Sequence, residues 1–153
     1  MSGRPAPTSF ADLDAAVQRS VGARLFTVLH WSPAGRVLTR IHSDHPAEYP
    51  VGGRKTVEVD AGWLARCVER GEPWLGADVA AVRAVFADHA LIERLGCGAA
   101  MNAPVVVGGR VMGVLNALDA EGAYDEAALS RLVAIADTAG DLVLRHAPDG
   151  GTP

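Results

Sequence analysis

Two apolar runs around a Gly-Gly pair constrain the fold of this chain more than any other feature. The stretch from Ala100 to Asp119 reads AMNAPVVVGGRVMGVLNALD, and Gly108 and Gly109 at its centre fit a two-residue hairpin turn. Both faces of the resulting hairpin are apolar, whereas a sheet with one wet side alternates apolar and polar residues. We therefore predict that this hairpin lies at the centre of an antiparallel sheet that is covered on both faces.

The register of the hairpin depends on its proline. A type I′ turn at the two glycines predicts that Met101 lies opposite Asn116 and that Asn102 occupies the other face. A proline inside a strand marks an edge or a bulge, and a bulge at Pro104 would exchange the faces of Met101 and Asn102. The sequence therefore leaves open which face of the sheet carries Asn102.

This hairpin resembles the corresponding hairpin of a GAF domain, the small sensory fold related to PAS domains. The resemblance is carried by the proline-containing strand Met101 to Val107, the Gly108-Gly109 pair and Gly113 to Asn116. The segments around the hairpin follow in the family's order, namely a helix and short strand (Val59 to Leu75), a connecting helix (Val79 to Leu95) and a closing helix (Asp125 to Arg145).

The resemblance implies an α+β fold with a GAF-like (profilin-like) central antiparallel sheet of five or six strands. It places terminal helices on one face of the sheet, and middle helices and loops over a ligand pocket on the other. Residues 9–146 would form this single domain. The N-terminal tail, residues 1–8, and the C-terminal tail, residues 147–153, are rich in Pro, Gly, Ser and Thr, and we expect both to be flexible.

Local patterns predict the elements that precede the hairpin. Ser9 is placed to cap a helix that runs to about residue 20, since an acidic side chain follows three residues later. Two strands follow, Leu25 to Trp31 and Arg36 to His42, and strict alternation in the second puts Arg40 and Ile41 on opposite faces. The segment from residue 43 to 55 has turn chemistry throughout and is predicted to be a loop. The candidate caps of later helices are Asp78 and Asp125, and a break is expected near His89.

Composition and charge restrict the function classes. The chain has 153 residues, 49% of them hydrophobic and 21% charged, which is typical of one soluble globular domain. No apolar run approaches the ~18 residues of a membrane span, and the N-terminal stretch lacks the layout of a secretory signal, so a cytoplasmic protein is expected. The net charge of −4, with arginines scattered along the chain, argues against nucleic-acid binding.

Aromatic and amide side chains are the first candidates for ligand contact. Trp63, Trp74 and Phe86 occur in the segments that would cover the pocket, where their rings either stack on a planar ligand or fill the core. Asn102 and Asn116 interrupt apolar strands, and a buried amide without partners costs on the order of 1 to 3 kcal/mol. Their partners are the backbone, a neighbouring loop or a ligand. Met101, whose face depends on the same register, is also assigned to the ligand-binding set.

Basic residues form a second candidate group at the end of the second strand. Arg40, His42, His45 and Tyr49 would cluster at the pocket mouth, either as an anion contact or as a solvated rim. The two histidines with a neighbouring aspartate make only a weak metal pattern. His89 has the residue type of a haem ligand in some GAF sensors, but nothing else singles it out. We therefore predict no haem and no metal cofactor.

A thiol-dependent enzyme is the alternative to a ligand sensor. Free methionine-(R)-sulfoxide reductase is a GAF-fold enzyme that uses a cysteine nucleophile, and Cys97 lies in the corresponding region although too close to the proline strand. The resemblance to that enzyme breaks down where it keeps substrate-binding acids and a further cysteine, at Ala100, Asn116, Leu118 and Leu64. Cys67 lies on an apolar stripe and is interpreted as a core thiol, and the two cysteines lack the spacing of a zinc knuckle or a disulfide framework.

The functional hypothesis is a sensory or regulatory GAF domain without catalysis of its own. It would bind a small organic molecule or anion and report it to a separate signalling protein or through a homodimer. The terminal helix supports dimerisation because it carries small residues that permit close helix approach, namely Ala134, Ala136, Ala139 and Gly140. The thiol-dependent enzyme and a purely structural dimerisation module are the alternatives.

Overall fold

A computed structural model describes residues 5–55 and 60–148. Two predictions concern residues outside this range. They are the flexibility of residues 1–4 and 149–153, and the start at Val59 of the helix and short strand. The helices are α1 (Phe10–Ser20), α2 (Ala61–Trp63), α3 (Val79–Val85), α4 (His89–Arg94), α5 (Glu126–Ala136) and α6 (Gly140–Arg145), and α2 continues as a π-helix over Leu64–Glu69. The strands are β1 (Leu25–Ser32), β2 (Val37–Ser43), β3 (Arg54–Lys55), β4 (Trp74–Gly76), β5 (Ala99–Val107) and β6 (Arg110–Asp119).

The six strands of the described residues form one antiparallel sheet in the order β3-β2-β1-β6-β5-β4. On one face, α1, α5 and α6 bury an apolar core that includes Leu13, Phe26, Leu115 and Leu132. On the other face, the π-helix, α3 and α4 cover a second apolar layer. The predicted α+β fold, with terminal and middle helices on opposite faces, is confirmed.

Side-chain caps fix the starts of helices α1, α3 and α5. The Ser9 hydroxyl accepts from the backbone N–H of Asp12 at 3.1 Å. The Asp12 carboxylate reaches back to Thr8 instead of Ser9, accepting from the Thr8 backbone N–H at 3.1 Å and the Thr8 hydroxyl at 2.8 Å. The predicted caps Asp78 and Asp125 also accept from backbone N–H groups three residues on, at 2.9 and 2.8 Å. Such contacts satisfy donors that have no partner inside the helix.

The central hairpin has a register different from the predicted one. Its pairing shifts so that Met112, in β6, is an extra residue, and beyond this bulge Asn102 pairs directly with Asn116. The predicted pairing of Met101 with Asn116 is therefore wrong, and both asparagines share a face. Pro104 causes no bulge in β5. The edge strand β4 pairs with β5 only as far as Asn102, so no residue of β4 needs a backbone N–H from Pro104.

A second bulge changes the face of His42. The pairing of β1 with β2 makes Ile41 an extra residue, so His42 turns away from the face that carries Arg40. The His42 ring stacks on Phe10 at 4.8 Å between centroids, and its Nε2 lies 2.8 Å from a carboxylate oxygen of Asp14 in α1. His42 therefore belongs to the α1 layer, and its predicted place at the pocket mouth is wrong.

The closing helix is divided in two. The Thr138 backbone N–H and hydroxyl both donate to the Ile135 carbonyl, at 3.0 and 2.7 Å, so the chain turns between α5 and α6. Ala136 and Ala139 are buried in the core of the domain, and a Cβ on Gly140 would lie 2.8 Å from Val107. Three of the four small residues of the predicted stripe therefore pack within the domain, whereas Ala134 is exposed, and dimerisation through this helix stays a prediction.

Candidate ligand-binding site

A cavity of about 330 Å³ lies between the sheet and the middle helices. Leu25, Leu29 and Leu118 form its apolar floor on β1 and β6, and Phe86 and Leu91 come from the segments around α3 and α4. It lies between strands β1, β2, β5 and β6 on one side and the segments around α2, α3 and α4 on the other. A largely apolar cavity with a few placed polar groups is typical of a small-molecule site.

The structure brings six of the nine predicted ligand-binding residues to this cavity, namely Arg40, Tyr49, Trp63, Phe86, Asn102 and Asn116. Trp74 does not line the cavity but packs behind it, with its ring edge-on to Phe86 at 5.7 Å between centroids. Met101 is fully buried in the core on the opposite face, where His42 also lies. Contact with a ligand stays a prediction for the six lining residues.

A continuous chain of buried polar side chains crosses the cavity floor. The Trp63 indole N–H donates to the Asn102 side-chain oxygen at 2.9 Å, and the Asn102 amide donates to the Asn116 oxygen at 2.6 Å. The Asn116 amide then donates to the Thr27 hydroxyl at 3.1 Å. We call these four residues the polar ladder. It solves the problem of burying two amides, since each finds partners inside the protein.

The ladder follows from the register of three neighbouring strands. Asn102 on β5 pairs with Asn116 on β6, and Asn116 pairs with Thr27 on β1. Each side-chain amide nitrogen carries two N–H donors, and the hydrogen bonds within the ladder use one donor of each. The hydrogen bonds of the ladder therefore leave the second donor of each amide unused.

The cavity mouth carries the charged groups. The Arg40 guanidinium lies over the Tyr49 ring, 4.9 Å from its centroid, and donates to the Pro50 carbonyl at 3.2 Å. The Tyr49 hydroxyl donates to the Asp88 carboxylate at 2.6 Å. Burial, together with this carboxylate, raises the pKa of Tyr49 well above its usual value, so the phenol stays protonated.

Sequence reasoning missed two residues that form side-chain hydrogen bonds in the site, Thr27 and Asp88. Thr27 is the one polar side chain between Leu25 and Leu29 on the cavity face of β1, and this single interruption of an apolar face is the signal that could have identified it. Asp88 gave no such signal, because its role depends on the position of Tyr49 in a loop 39 residues away.

Comparison with known proteins agrees with this geometry. A family model described as GAF domain matches residues 13–143. The chain belongs to the GAF domain family. The comparison with curated proteins gives no match.

Solved structures share the fold of this GAF domain at low identity. A GAF domain/HD domain protein from Geobacter sulfurreducens is 12% identical, with 89% of this chain and 90% of that chain covered and a TM-score of 0.70. The GAF domain of a two-component sensor histidine kinase from Bacillus halodurans is 13% identical, with 89% and 91% covered and a TM-score of 0.67. The type II free methionine-R-sulfoxide reductase from Thermoplasma acidophilum is 15% identical, with 89% of each chain covered and a TM-score of 0.63.

Both cysteines of this GAF domain are buried free thiols outside the cavity lining. Burial raises the pKa of Cys67 to about 12. Burial also raises the pKa of Cys97 to about 11, with a further contribution from the negative charge of Asp119. Because the thiolate is the reactive form, neither side chain has the environment of an activated nucleophile.

The raised thiol pKa values predict both low reactivity and an alkaline loss of stability. The unfolded thiols ionise near pH 9 whereas Cys67 and Cys97 stay protonated in the native state. The unfolded state therefore binds fewer protons above pH 9, and the free energy of unfolding falls as pH rises beyond that value. We expect negligible alkylation of the native protein by iodoacetamide at pH 8, measured by mass spectrometry. We also expect the free energy of unfolding of a Cys67→Ala/Cys97→Ala variant to decrease less at alkaline pH. Rapid native-state alkylation of Cys97 would contradict this prediction.

The described part of the chain bears on two further classes of site, a metal centre and a membrane span. Within residues 5–55 and 60–148, no group of three His, Cys, Asp or Glu side chains is placed to hold a metal ion. His45 contacts its neighbour Asp44 at 2.8 Å, and His89 faces Glu93 at 3.6 Å. No helix in the same residues is long and apolar enough to cross a bilayer.

Proposed function

We propose that this GAF domain binds a small organic molecule in the cavity and reports its presence to a separate signalling protein or through a second copy of the chain, without catalysis of its own. The observation that carries the proposal is the cavity itself, which joins apolar walls to a polar ladder with unused donors. Such a combination orients a ligand by a few hydrogen bonds while apolar burial supplies the affinity.

The likeness to a sensor histidine kinase domain supports a sensory role for the same fold. The likeness to a methionine sulfoxide reductase supports the enzymatic alternative only at the level of fold, since both thiols of this chain are buried outside the cavity lining and have raised pKa values. Our proposal therefore assigns no catalytic residue. It includes a cytoplasmic location and no haem or metal cofactor.

The first test is native mass spectrometry of the purified protein, followed by thermal unfolding in the presence of a metabolite library. A ligand at 100 times its dissociation constant is expected to add about 2.7 kcal/mol to the free energy of unfolding. We expect a retained molecule or a thermal shift that is abolished in Leu91→Trp, which fills the cavity.

The matched control is Leu144→Trp, which places the same ring on a half-exposed position of α6 away from the cavity. This variant is expected to keep the retained molecule or the thermal shift. Absence of any bound molecule and of any thermal shift in the unaltered protein would contradict the proposal. Equal loss in both variants would assign the effect to general destabilisation instead of the cavity.

A further inference from the structure

Arg40 is a buried cation at the cavity with few partners. Only 7% of its surface is exposed, and it lines the cavity from β2. One guanidinium nitrogen donates to the Pro50 carbonyl, whereas the Nε atom is buried and has no hydrogen-bond partner among the residues that the structure describes. Across residues 5–55 and 60–148, no carboxylate forms an ion pair with this side chain within 4.0 Å.

This arrangement leaves the positive charge incompletely compensated. Burying a cation is costly unless it is paired and hydrogen-bonded. The Tyr49 ring and the field of Asp88 stabilise the charged form, but desolvation is the larger effect and lowers the pKa of Arg40 from its usual value. The Asp88 carboxylate is engaged by the Tyr49 hydroxyl, and Glu48 is exposed at the mouth. The guanidinium therefore has unused donor capacity next to an apolar cavity.

The loop after β2 holds Arg40 in place. The Arg40 backbone N–H donates to the Gly53 carbonyl and the Gly52 N–H donates to the Arg40 carbonyl, both at 2.8 Å. A Cβ on Gly53 would lie 2.6 Å from the Arg40 Nη1 atom, so a larger residue there would displace the guanidinium from its position. A cation fixed in advance by its surroundings pays less ordering entropy when an anion binds.

We propose that the ligand of this cavity is a small organic monocarboxylic acid, with its carboxylate on Arg40 and its apolar body between the floor leucines and Phe86. This inference rests on the proposed function. A monoanion is favoured over a phosphate because Glu48 and Asp88 line the same cavity, and like charges disfavour a second negative charge. A compact body, such as one ring or a short branched chain, is favoured because the volume lies at the lower end of the range for ligand pockets.

The test uses acids and their amides as matched probes of equal shape and different charge. Separate titrations into the ¹⁵N-labelled full chain are followed by two-dimensional NMR. The titrants are benzoate, phenylacetate and isovalerate, each with its amide, and inorganic phosphate. At least one acid is expected to bind about tenfold more tightly than its amide, the size of effect given by a charge-assisted hydrogen bond. The perturbed signals are expected to include the Arg40 Nε–H and the side-chain amides of Asn102 and Asn116.

Three variants locate the effect. Arg40→Gln is expected to abolish the preference for the acid while the amide still binds, whereas Arg110→Gln removes the same charge from an exposed position outside the cavity and is expected to change nothing. Gly53→Ala keeps the charge but crowds the guanidinium, and is expected to weaken acid binding severalfold with amide binding retained. This third variant serves as the test if Arg40→Gln does not fold, which thermal unfolding would show.

The possible outcomes separate the inference from the proposed function. Equal binding of acids and amides would overturn the role of Arg40 and leave the cavity as a small-molecule site. Preference for phosphate over every acid would overturn the monocarboxylate assignment. An acid preference that survives both Arg40→Gln and Gly53→Ala would place the anion elsewhere. Failure of every acid and amide to bind would count against the inference and the cavity's function together.

Discussion

Replacing Gly113 by alanine is expected to lower the free energy of unfolding by about 3 kcal/mol. Gly113 lies in β6, where a Cβ would be 2.5 Å from the Leu29 carbonyl oxygen and 3.1 Å from Val143 Cγ1. The carbonyl belongs to the neighbouring strand β1 and the valine to helix α6, so neither can move without disturbing the sheet or the helix on it. The loss is measured by urea unfolding of the variant and the unaltered protein.

Gly35 provides the matched control for this substitution. It lies in the turn between β1 and β2, outside the left-handed backbone region, and the nearest atom to its Cβ position is Val37 Cγ1 at 3.6 Å. Gly35→Ala is therefore expected to change the free energy of unfolding by less than about 0.5 kcal/mol. Similar stabilities for the two variants would mean that the close approach of β1, β6 and α6 does not constrain the fold.

The elements of the fold could be predicted because their signals are local. The Gly-Gly turn, the caps at Ser9, Asp78 and Asp125, and the apolar alternation of the strands each depend on residues within a few positions. The division of the closing helix escaped prediction because the apolar periodicity continues through it. It depends instead on Thr138, which turns back onto the carbonyl of Ile135.

The candidate site could be predicted only in part because it depends on register. One bulge residue at Ile41 moves His42 to the α1 layer, and one at Met112 brings Asn102 opposite Asn116. A shift of one residue moves every following side chain to the other face, and the extra residue of each bulge, Ile41 or Met112, is itself neither glycine nor proline. The sequence therefore did not predict the ladder formed by these asparagines. It did predict that both buried amides need hydrogen-bond partners.

Replacing Asn102 by alanine is expected to lower the free energy of unfolding by about 3 kcal/mol, because it removes the middle of the polar ladder. The Trp63 indole N–H loses its acceptor and the Asn116 side-chain oxygen loses its donor. Both groups are buried beside an apolar cavity, where an unsatisfied polar group is costly. Urea unfolding measures the loss, and the side-chain amide signals of Asn116 in NMR spectra show whether the remaining ladder is kept.

A double-mutant cycle with Trp63→Phe separates loss of the ladder from loss of packing. Phenylalanine keeps an aromatic ring above the floor but has no N–H, so on its own it leaves the Asn102 oxygen without a donor. Once Asn102 is alanine, that penalty disappears, and Trp63→Phe should cost about 1 to 2 kcal/mol less than in the unaltered background. Strictly additive losses would show that the indole and the amide act independently. Coupling of this size would show that the hydrogen bond from Trp63 to Asn102 holds the cavity roof to its floor. A ligand that displaces this hydrogen bond would then also loosen the roof.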